Sequence, residues 1–180
     1  MAERSVLELT EFARLLGGVP RARRALVLFS EGLGLDVTDA RNSELFEEVR
    51  RMFSTAARAN VTFYTVDPRG VASIGDEVMQ VGQLRRGVPP PTLGLYREQQ
   101  VAQQSLRNFA EQTGGLAWVG SGDFARGFRA IVDDNSTYYL LGYYSNDSTR
   151  EGTFRTLRVR VKRKDVVVRT RSGYSAEGPS

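Results

Sequence analysis

The sequence predicts an α/β fold, with a parallel sheet flanked by helices and a C-terminal antiparallel β-meander. Helical and strand-like patterns alternate over residues 1–135, which is typical of parallel sheets joined by crossover helices. From residue 136 short runs with a period of two residues follow instead. The 180 residues are 41% hydrophobic, enough for one ordinary core. We therefore expect one α/β domain over residues 1–135, a β-meander over 136–175 and a disordered tail over 176–180.

The first predicted elements are a helix and a buried strand. The helix opens at Ser5 with the capping-box spacing S-V-L-E and ends before the pair Gly17 and Gly18. A strand follows over residues 25–29, where five apolar residues occur without alternation, as in a strand covered on both faces. The inward face of the helix is predicted to comprise Leu9, Phe12, Ala13 and Leu16.

A second helix and strand follow with stronger patterns. The helix is predicted over residues 43–59, and Asn60 would cap its C-terminal end. The segment V-T-F-Y-T-V, residues 61–66, is rich in β-branched and aromatic residues and predicts a strand that ends at Asp67 in the turn sequence D-P-R-G. The apolar stripe of the helix consists of Leu45, Val49, Met52 and Ala56, with Phe46 and Phe53 beside it.

Residues 70–95 interrupt the pattern, since they include five glycines and three successive prolines. We predict a flexible Gly/Pro-rich insertion here, with an ordered binding loop as the alternative. A helix over 96–113, a short strand over 116–119 and a helix capped by Ser121 complete the α/β domain. The inward residues are predicted to be Ala102, Leu106, Phe109 and Ala110 in the former helix, and Phe124, Phe128, Ile131 and Val132 in the latter.

The last 45 residues predict the meander. Its strands are T-Y-Y-L-L-G-Y-Y at 137–144, L-R-V-R-V-K at 157–162 and V-V-V-R-T-R at 166–171, with a turn at Lys164 and Asp165. The second strand alternates strictly between apolar and basic residues, so one face of the meander is expected to be basic and wet.

The composition excludes several kinds of site and segment. The chain contains neither Cys nor His, which rules out disulfides, thiolate nucleophiles, Ser-His-acid triads and histidine metal sites. No apolar run reaches 18 residues, so we expect no membrane span, and the first 20 residues lack the apolar core of a signal peptide. Nine basic and two acidic residues between positions 150 and 171 give this segment a charge of +7, whereas the rest of the chain carries −3.

A candidate site lies where the predicted parallel strands end, because loops and helix N-termini converge at that edge of a sheet. Ser30 and Glu31 follow the first strand, Asp67 the second, and Ser121 and Asp123 the third. Three carboxylates at one rim could hold a hard divalent cation. The alternative, which we favour, is that Asp67 only opens a turn and Asp123 only starts a helix.

The sequence argues against common enzyme sites. No strand is followed by a glycine-rich phosphate-binding fingerprint, and there is no G-x-S-x-G nucleophile elbow. A hydrolase that uses carboxylates is the weakest hypothesis, because no pair of acidic residues is placed to act as acid and base.

Four segments in order resemble one protein family. They are R-R-A-L-V-L-F-S-E-G, A-A-R-A-N-V-T-F-Y-T-V-D-P-R-G, F-A-E-Q-T-G-G-L-A-W-V, and the pair Y-Y-L-L-G-Y-Y and G-T-F-R-T-L-R-V-R-V-K. Together they are similar to the von Willebrand factor type A-related domain proteins of the Acidobacteria type, from about Leu7 to Tyr174. The resemblance implies a Rossmann-like von Willebrand factor A fold that acts as an interaction module and is usually exported, hence extracytoplasmic.

The resemblance also implies a metal-ion-dependent adhesion site, in which Mg²⁺ takes a carboxylate from the partner. Glu31, with Ser30 beside it, stands where the fold has its metal-loop Asp, but the Asp-x-Ser-x-Ser motif is absent. The chain matches the C-terminal half of the domain, so we expect a fragment whose metal site is incomplete. Mg²⁺ would belong to the full-length domain, and this chain alone is expected to bind no cofactor.

The leading functional prediction is a non-enzymatic, adhesion-type protein-interaction domain with an unknown protein partner. Asp67, Ser121 and Asp123 would form the partner-facing rim, and an exposed sheet edge would favour self-association. The alternative is a nucleic-acid-binding module that uses Arg155, Arg158, Arg160 and Lys162 with nearby tyrosines. Nucleic acid is disfavoured as a partner because the tyrosines and the basic residues lie on different strands.

Overall fold

The structure is a computed structural model that describes residues 2–19, 23–32, 43–70, 92–139, 141–142 and 154–175. It has an α/β architecture with a parallel sheet and a small antiparallel sheet, as predicted. In chain order its elements are α1 (Ala2–Gly17), β1 (Arg24–Phe29), α2 (Ser43–Arg58), β2 (Val61–Val66), α3 (Thr92–Gln112), β3 (Ala117–Trp118), α4 (Phe124–Ser136), β4 (Phe154–Thr156) and β5 (Gly173–Ser175). None of these helices is long and apolar enough to cross a membrane.

The parallel sheet has the order β1-β2-β3, so β2 is its central strand. Arg24 pairs with Val61 and Phe29 with Val66 at the two ends of the β1-β2 ladder, and Val66 pairs with Trp118 in the shorter β2-β3 ladder. All six residues of β2 are buried, which explains its continuous run of β-branched and aromatic side chains.

Helices cover both faces of the sheet. On one face α1, α2 and α3 pack over β2 around Phe63, Met52 and Phe109. On the other face α4 packs through Ile131 over Tyr64 and Val66. The predicted stripe of α2 lies in or against this core, and Leu106, Phe109 and Ala110 of α3 are buried, which confirms both patterns. Ala102 is only partly buried and lies beside Gly32.

Several predicted element boundaries are wrong. Helix α1 begins at Ala2, so the S-V-L-E spacing from Ser5 lies inside the helix and does not cap it, because Ala2, Glu3 and Arg4 extend the helix toward the N-terminus. Phe12, predicted to face inward, is exposed, whereas Val6 is buried. The helix over 43–59 and the left-handed cap at Asn60 (φ 51°) are confirmed.

The predicted insertion over 70–95 overlaps α3, which begins at Thr92, directly after three prolines that cannot continue a helix. The remainder of that prediction, residues 71–91, lies outside the described residues. Helix α3 ends at Gln112, and Gly114 turns the chain with a positive φ of 77°. Gly115 follows so close to β2 that a Cβ atom would overlap the carbonyl oxygen of Phe63. Glycine is required there for contact rather than for flexibility.

Strand β1 is an edge strand of the described sheet, in agreement with the exposed sheet edge that the family resemblance implies. Its side chains are partly buried or exposed, and 53% of Phe29 is accessible. The prediction that both faces of this strand are covered is wrong, since Ala25 and Phe29 are exposed on one face. Among the described strands, β1 hydrogen-bonds only to β2. Helix α4 contacts β1 through the rings of Phe128 and Phe29. Phe128 and Val132, predicted to be buried, are exposed beside this edge strand.

The C-terminal sheet is antiparallel and shorter than the predicted meander. Pairing is confined to Phe154–Thr156 with Gly173–Ser175. The predictions of strands at 157–162 and 166–171 are wrong, since neither segment forms a strand and pairing stops at Thr156 and Gly173. Residues 137–139 and 141–142 form no strand either, and Leu140, residues 143–153 and the predicted tail over 176–180 lie outside the described residues.

Candidate functional site

The carboxyl ends of the three parallel strands form a rim, as the sequence predicted for Ser30, Glu31 and Asp67. Backbone hydrogen bonds continue the sheet into it, from Ser30 N to Val66 O (3.0 Å) and from Asp67 N to Trp118 O (2.9 Å). The residues directly after β1, β2 and β3 are thereby held at one level, and the side chains of the three following loops are brought near each other.

Asp67 is the centre of this rim and its side chain is fully buried. Its Oδ1 accepts hydrogen bonds from the Arg69 backbone N–H (3.1 Å) and Nε (2.9 Å), and its Oδ2 accepts from Arg69 Nη2 (2.9 Å) and Gln103 Nε2 (3.4 Å). The backbone bond between residues two apart is that of an Asx-turn, so the prediction that Asp67 opens a turn is confirmed. Both carboxylate oxygens are occupied.

The charge state of Asp67 follows from these contacts. Burial alone would raise the pKa of this carboxyl, but the hydrogen bonds and charge of Arg69 outweigh burial, and the pKa lies below its ordinary value. The pKa of Arg69 is raised in turn, chiefly by its hydrogen bond to Asp67. Asp67 and Arg69 therefore form a fixed ion pair.

Ser30 and Glu31 are engaged through local contacts rather than in a ligand set. The Ser30 hydroxyl donates to Gly32 O (2.9 Å) and accepts from Gly32 N (3.2 Å), which closes the turn after β1. The backbone oxygen of Glu31 accepts a hydrogen bond from Arg69 Nη2 (2.6 Å), and the Glu31 residue itself is exposed. The loops after β1 and β2 are thus joined through the guanidinium of Arg69.

Ser121 and Asp123 belong to the start of α4. The N-cap of this helix is Asp123, whose carboxylate accepts from Arg126 N (2.9 Å), and not Ser121 as predicted. Ser121 instead accepts a hydrogen bond from Asp123 N (3.3 Å). This confirms the structural interpretation of Asp123 as a residue that starts a helix.

The rim does not fit the ligand set that a Mg²⁺ ion requires. Mg²⁺ takes near-octahedral oxygen coordination, but Asp67 is saturated by nitrogen donors, and Asp123 caps a helix. Within the described residues, no group of three or more acidic side chains could hold a metal ion. The predicted position of Glu31 as a metal ligand thus has no support from neighbouring carboxylates.

A second polar cluster, which the sequence did not suggest, lies between α4 and the C-terminal segment. Asp134 is its centre, and only 10% of this side chain is exposed. Asp134 Oδ2 accepts from the Tyr64 hydroxyl (2.7 Å) and from Arg23 Nη2 (3.3 Å), and Oδ1 accepts from Arg169 Nε (2.7 Å). Burial, with the bond to Asp134, raises the pKa of Tyr64 above its ordinary value. We call these four residues the Asp134 cluster.

Arginines of this region also bind the C-terminal ends of helices, where backbone carbonyls lack partners. Arg23 Nη1 donates to Asp134 O (2.9 Å) in the last turn of α4, and Arg171 Nη1 donates to Ala57 O (3.2 Å) in the last turn of α2. Arg24 Nη1 donates to Ala59 O just beyond α2. Part of the basic charge of the chain therefore stabilises the fold.

An apolar surface, which we call the edge patch, consists of Ala25, Phe29, Phe128 and Val132. The rings of Phe29 and Phe128 lie 5.8 Å apart between centroids, in a tilted arrangement. Ala25 and Phe29 share one face of β1, and Phe128 and Val132 are one turn apart on α4. All four side chains are exposed beside the free edge of β1.

Comparison of the chain with family models, with curated proteins and with solved structures finds no match. The similarity to von Willebrand factor A-related domains therefore stays a prediction.

The sequence analysis did not predict the roles of Arg69 and of the Asp134 cluster. Arg69 had a local indication in the sequence D-P-R-G, where a basic residue follows two positions after Asp67. The Asp134 cluster had none, because Arg23 and Asp134 are 111 positions apart.

Proposed function

We propose that this chain is a non-enzymatic protein-interaction domain of von Willebrand factor A type that binds its partner along the free edge of β1. The observation that carries the proposal is the edge patch. It comprises exposed aromatic and aliphatic side chains next to a strand whose outer side pairs with no other strand of the described residues, so that backbone donors and acceptors line that side.

The backbone edge of β1 and the side chains of the edge patch would act together. An added strand gains backbone hydrogen bonds from β1, and its side chains cover Phe29 and Phe128 at the same time. Val132, of which 60% is exposed, lies farther along α4 and extends the contact. Burial of apolar area contributes about 25 cal/mol per Å². We therefore expect the side chains of the edge patch to supply most of the affinity.

The proposed occupant is an apolar strand in extended conformation. In a solution of this chain alone, strand β1 of a second copy takes that place, since R-A-L-V-L-F is itself such a strand and carries its own unpaired edge. Self-association is therefore the measurable form of the proposal.

The rim supports the proposal as a rigid frame rather than as a metal-dependent contact. The Asp67 and Arg69 pair fixes the loops after β1 and β2, and Phe29 lies immediately before the first of these loops. We propose that partner binding by this chain is independent of Mg²⁺.

Size-exclusion chromatography with light scattering over a range of concentrations tests the proposal. We expect the apparent mass of the wild-type chain to rise with concentration, in EDTA as in Mg²⁺. Phe29→Lys and Val132→Lys should each shift the chain toward the monomer, because a charge would then be buried in the contact. Phe12→Lys, at an exposed aromatic residue on α1, is the matched control and should behave as wild type.

A wild-type chain that stays monomeric at all concentrations would contradict the proposal. So would equal effects of Phe29→Lys and Phe12→Lys. Circular dichroism of each variant establishes that it is folded before its mass is compared.

A further inference from the structure

Residues 158–168, which we call the basic arm, are the most strongly charged exposed segment of the described chain. The arm contains five basic residues and one acidic residue, Asp165. Arg163 forms an exposed ion pair with Asp165 at 3.7 Å, which leaves the other basic side chains available to solvent. These are Arg158, Arg160, Lys162 and Lys164.

The arm also exposes apolar side chains. Val167 is 83% accessible, and Val161, Val166 and Val168 are exposed as well. Exposed apolar side chains are unfavourable in water, so a set of four beside five basic residues indicates a surface that another molecule covers.

The backbone of the arm is available for pairing. Exposure alternates residue by residue from Phe154 to Arg160, which continues the pattern of β4 into the first three arm residues, and every residue from Val161 to Val168 is exposed. The antiparallel ladder between β4 and β5 stops at Thr156, and the next backbone bond, from Leu157 N to Ser172 O (2.9 Å), is the last. Among the described residues, no backbone hydrogen bond involves positions 158–168.

The base of the arm is fixed to the domain. Arg169 binds Asp134, Arg171 binds Ala57 O, and Ser172 N donates to Gln112 O (3.4 Å). A segment whose base is fixed loses less conformational entropy when a strand is added to it than a free chain would.

We propose that the basic arm binds an acidic polypeptide segment as an added β-strand, in which acidic and apolar residues alternate. Backbone hydrogen bonds to the arm supply affinity, Val side chains meet the apolar positions, and Arg158 and Arg160 pair with the carboxylates. The inference rests on the proposed function as a protein-interaction domain, but it assigns a different surface from the edge patch.

Two other partners fit the arm less well. A membrane surface would require apolar residues at the tip, but the tip at Lys162, Arg163 and Lys164 is charged and the valines stand behind it. A nucleic acid would leave the valines uncovered, and the arm contains no aromatic side chain on which bases could stack.

Fluorescence anisotropy with a labelled synthetic peptide tests the proposal. The probe has about nine residues, a usual strand length, with Glu and Val in alternation. A control peptide has the same composition with its Glu residues in one block. We expect the alternating peptide to bind at least about tenfold more tightly, since only it can place carboxylates and valines on opposite faces of a strand.

Two N-methylated forms of the probe separate strand addition from charge attraction. One carries methyl groups on the Glu amides and the other on the Val amides. Because successive N–H groups of a strand point to opposite edges, one form should lose at least about tenfold in affinity and the other should bind like the unmodified probe. Equal binding of both forms would overturn the proposal.

Variants of the protein assign the surface. Arg158→Glu with Arg160→Glu should weaken binding at least about tenfold, whereas Arg4→Glu with Arg14→Glu, an equal charge change on α1, should leave it unchanged. Phe29→Lys should bind the probe like wild type, so a failure of the edge-patch proposal can be recognised separately. Absence of probe binding, or displacement of the probe by an equimolar single-stranded oligonucleotide, would overturn the inference.

Discussion

At the scale of single residues, the rim shows how an acidic residue after a strand can be structural. A carboxylate with no exposed surface, such as Asp67, is stable only when its oxygens are paired. Arg69, two residues later, supplies the charge, and Gln103 on α3 supplies a further donor. Arg69 also binds the backbone oxygen of Glu31, so the loops after β1 and β2 both depend on one guanidinium.

We expect Asp67→Asn to destabilise the chain by about 1–3 kcal/mol at pH 7, because Arg69 loses its charged partner. The pKa of Asp67 is lowered in the folded state, so its contribution is fully present above the unfolded value of about 4 and is lost as pH falls through the folded pKa. The free energy of unfolding, measured with urea from pH 7 to pH 2.5, should therefore fall less steeply with pH for Asp67→Asn than for wild type. Glu8→Gln, in an exposed ion pair, is the control, and an identical acid loss in Asp67→Asn and wild type would refute the expectation.

The contribution of Tyr64 to stability depends on pH in the opposite direction from that of Asp67. Its pKa is raised by burial and by the bond to Asp134, so its stabilising contribution is present below the unfolded value of about 10 and is lost as pH rises above it. We expect Tyr64→Phe to cost about 1–2 kcal/mol at neutral pH, from the lost bond to Asp134, and to reduce the decline in stability between about pH 9 and 11. Tyr139→Phe, at a highly exposed tyrosine, should change neither quantity when unfolding is followed by circular dichroism.

At the scale of elements, the arginines divide into two groups. Arg23, Arg24 and Arg171 bind carbonyls at or just beyond the ends of α2 and α4, where the helix dipole favours positive charge. Arg158 and Arg160 point to solvent on the basic arm. The high pI of the chain thus has two physical causes, and only the second group is available to a partner.

We expect Arg171→Gln to lower the free energy of unfolding by about 1 kcal/mol, because α2 loses a charged donor at Ala57 O. Arg158→Gln, with the same change of charge in the same segment, should leave stability within about 0.5 kcal/mol of wild type. Chemical denaturation of the two variants side by side is the measurement. Equal effects would mean that net charge, rather than the helix contact, determines the result.

The sequence predicted those elements whose environment is encoded by their own pattern. The stripe of α2 and the strand over residues 61–66 were both predicted correctly, since the pattern of each matches its own environment: the stripe packs on one core cluster, and β2 is buried between two. Whether a strand lies at the centre or the edge depends on what pairs with it, and β1 therefore carried no warning that Phe29 would be exposed. Phe128 and Val132 on α4 were misjudged for the same reason.

The candidate site was predictable only where its contacts are local. The turn at Asp67 and the structural role of Asp123 follow from neighbours two and three residues away. The link from Arg69 to Glu31 spans 38 positions, and the Asp134 cluster joins residues from four separate segments. No spacing in a single sequence encodes such contacts.

At the scale of the whole molecule, the C-terminal sheet is joined to the domain by polar contacts. The Asp134 cluster ties Arg169 to α4, and Ser172 is bonded through both its backbone and its hydroxyl to Gln112 at the end of α3. The base of the arm should therefore share the stability of the domain, whereas the arm itself, from 158 to 168, should not.

Hydrogen exchange measured residue by residue tests this division. We expect the amides of Leu157 and Ser172 to be protected, because both donate to backbone carbonyls, and the amides of 158–168 to exchange near their intrinsic rates. Asp134→Asn should release Arg169 and speed exchange at Ser172, while the amides of β2, all in buried residues, remain slow. Uniform protection from 157 to 172 would mean that the arm is already paired and would remove the basis for strand addition there. Uniform loss of protection in Asp134→Asn, including β2, would mean that this cluster maintains the whole domain rather than the attachment of its C-terminal sheet.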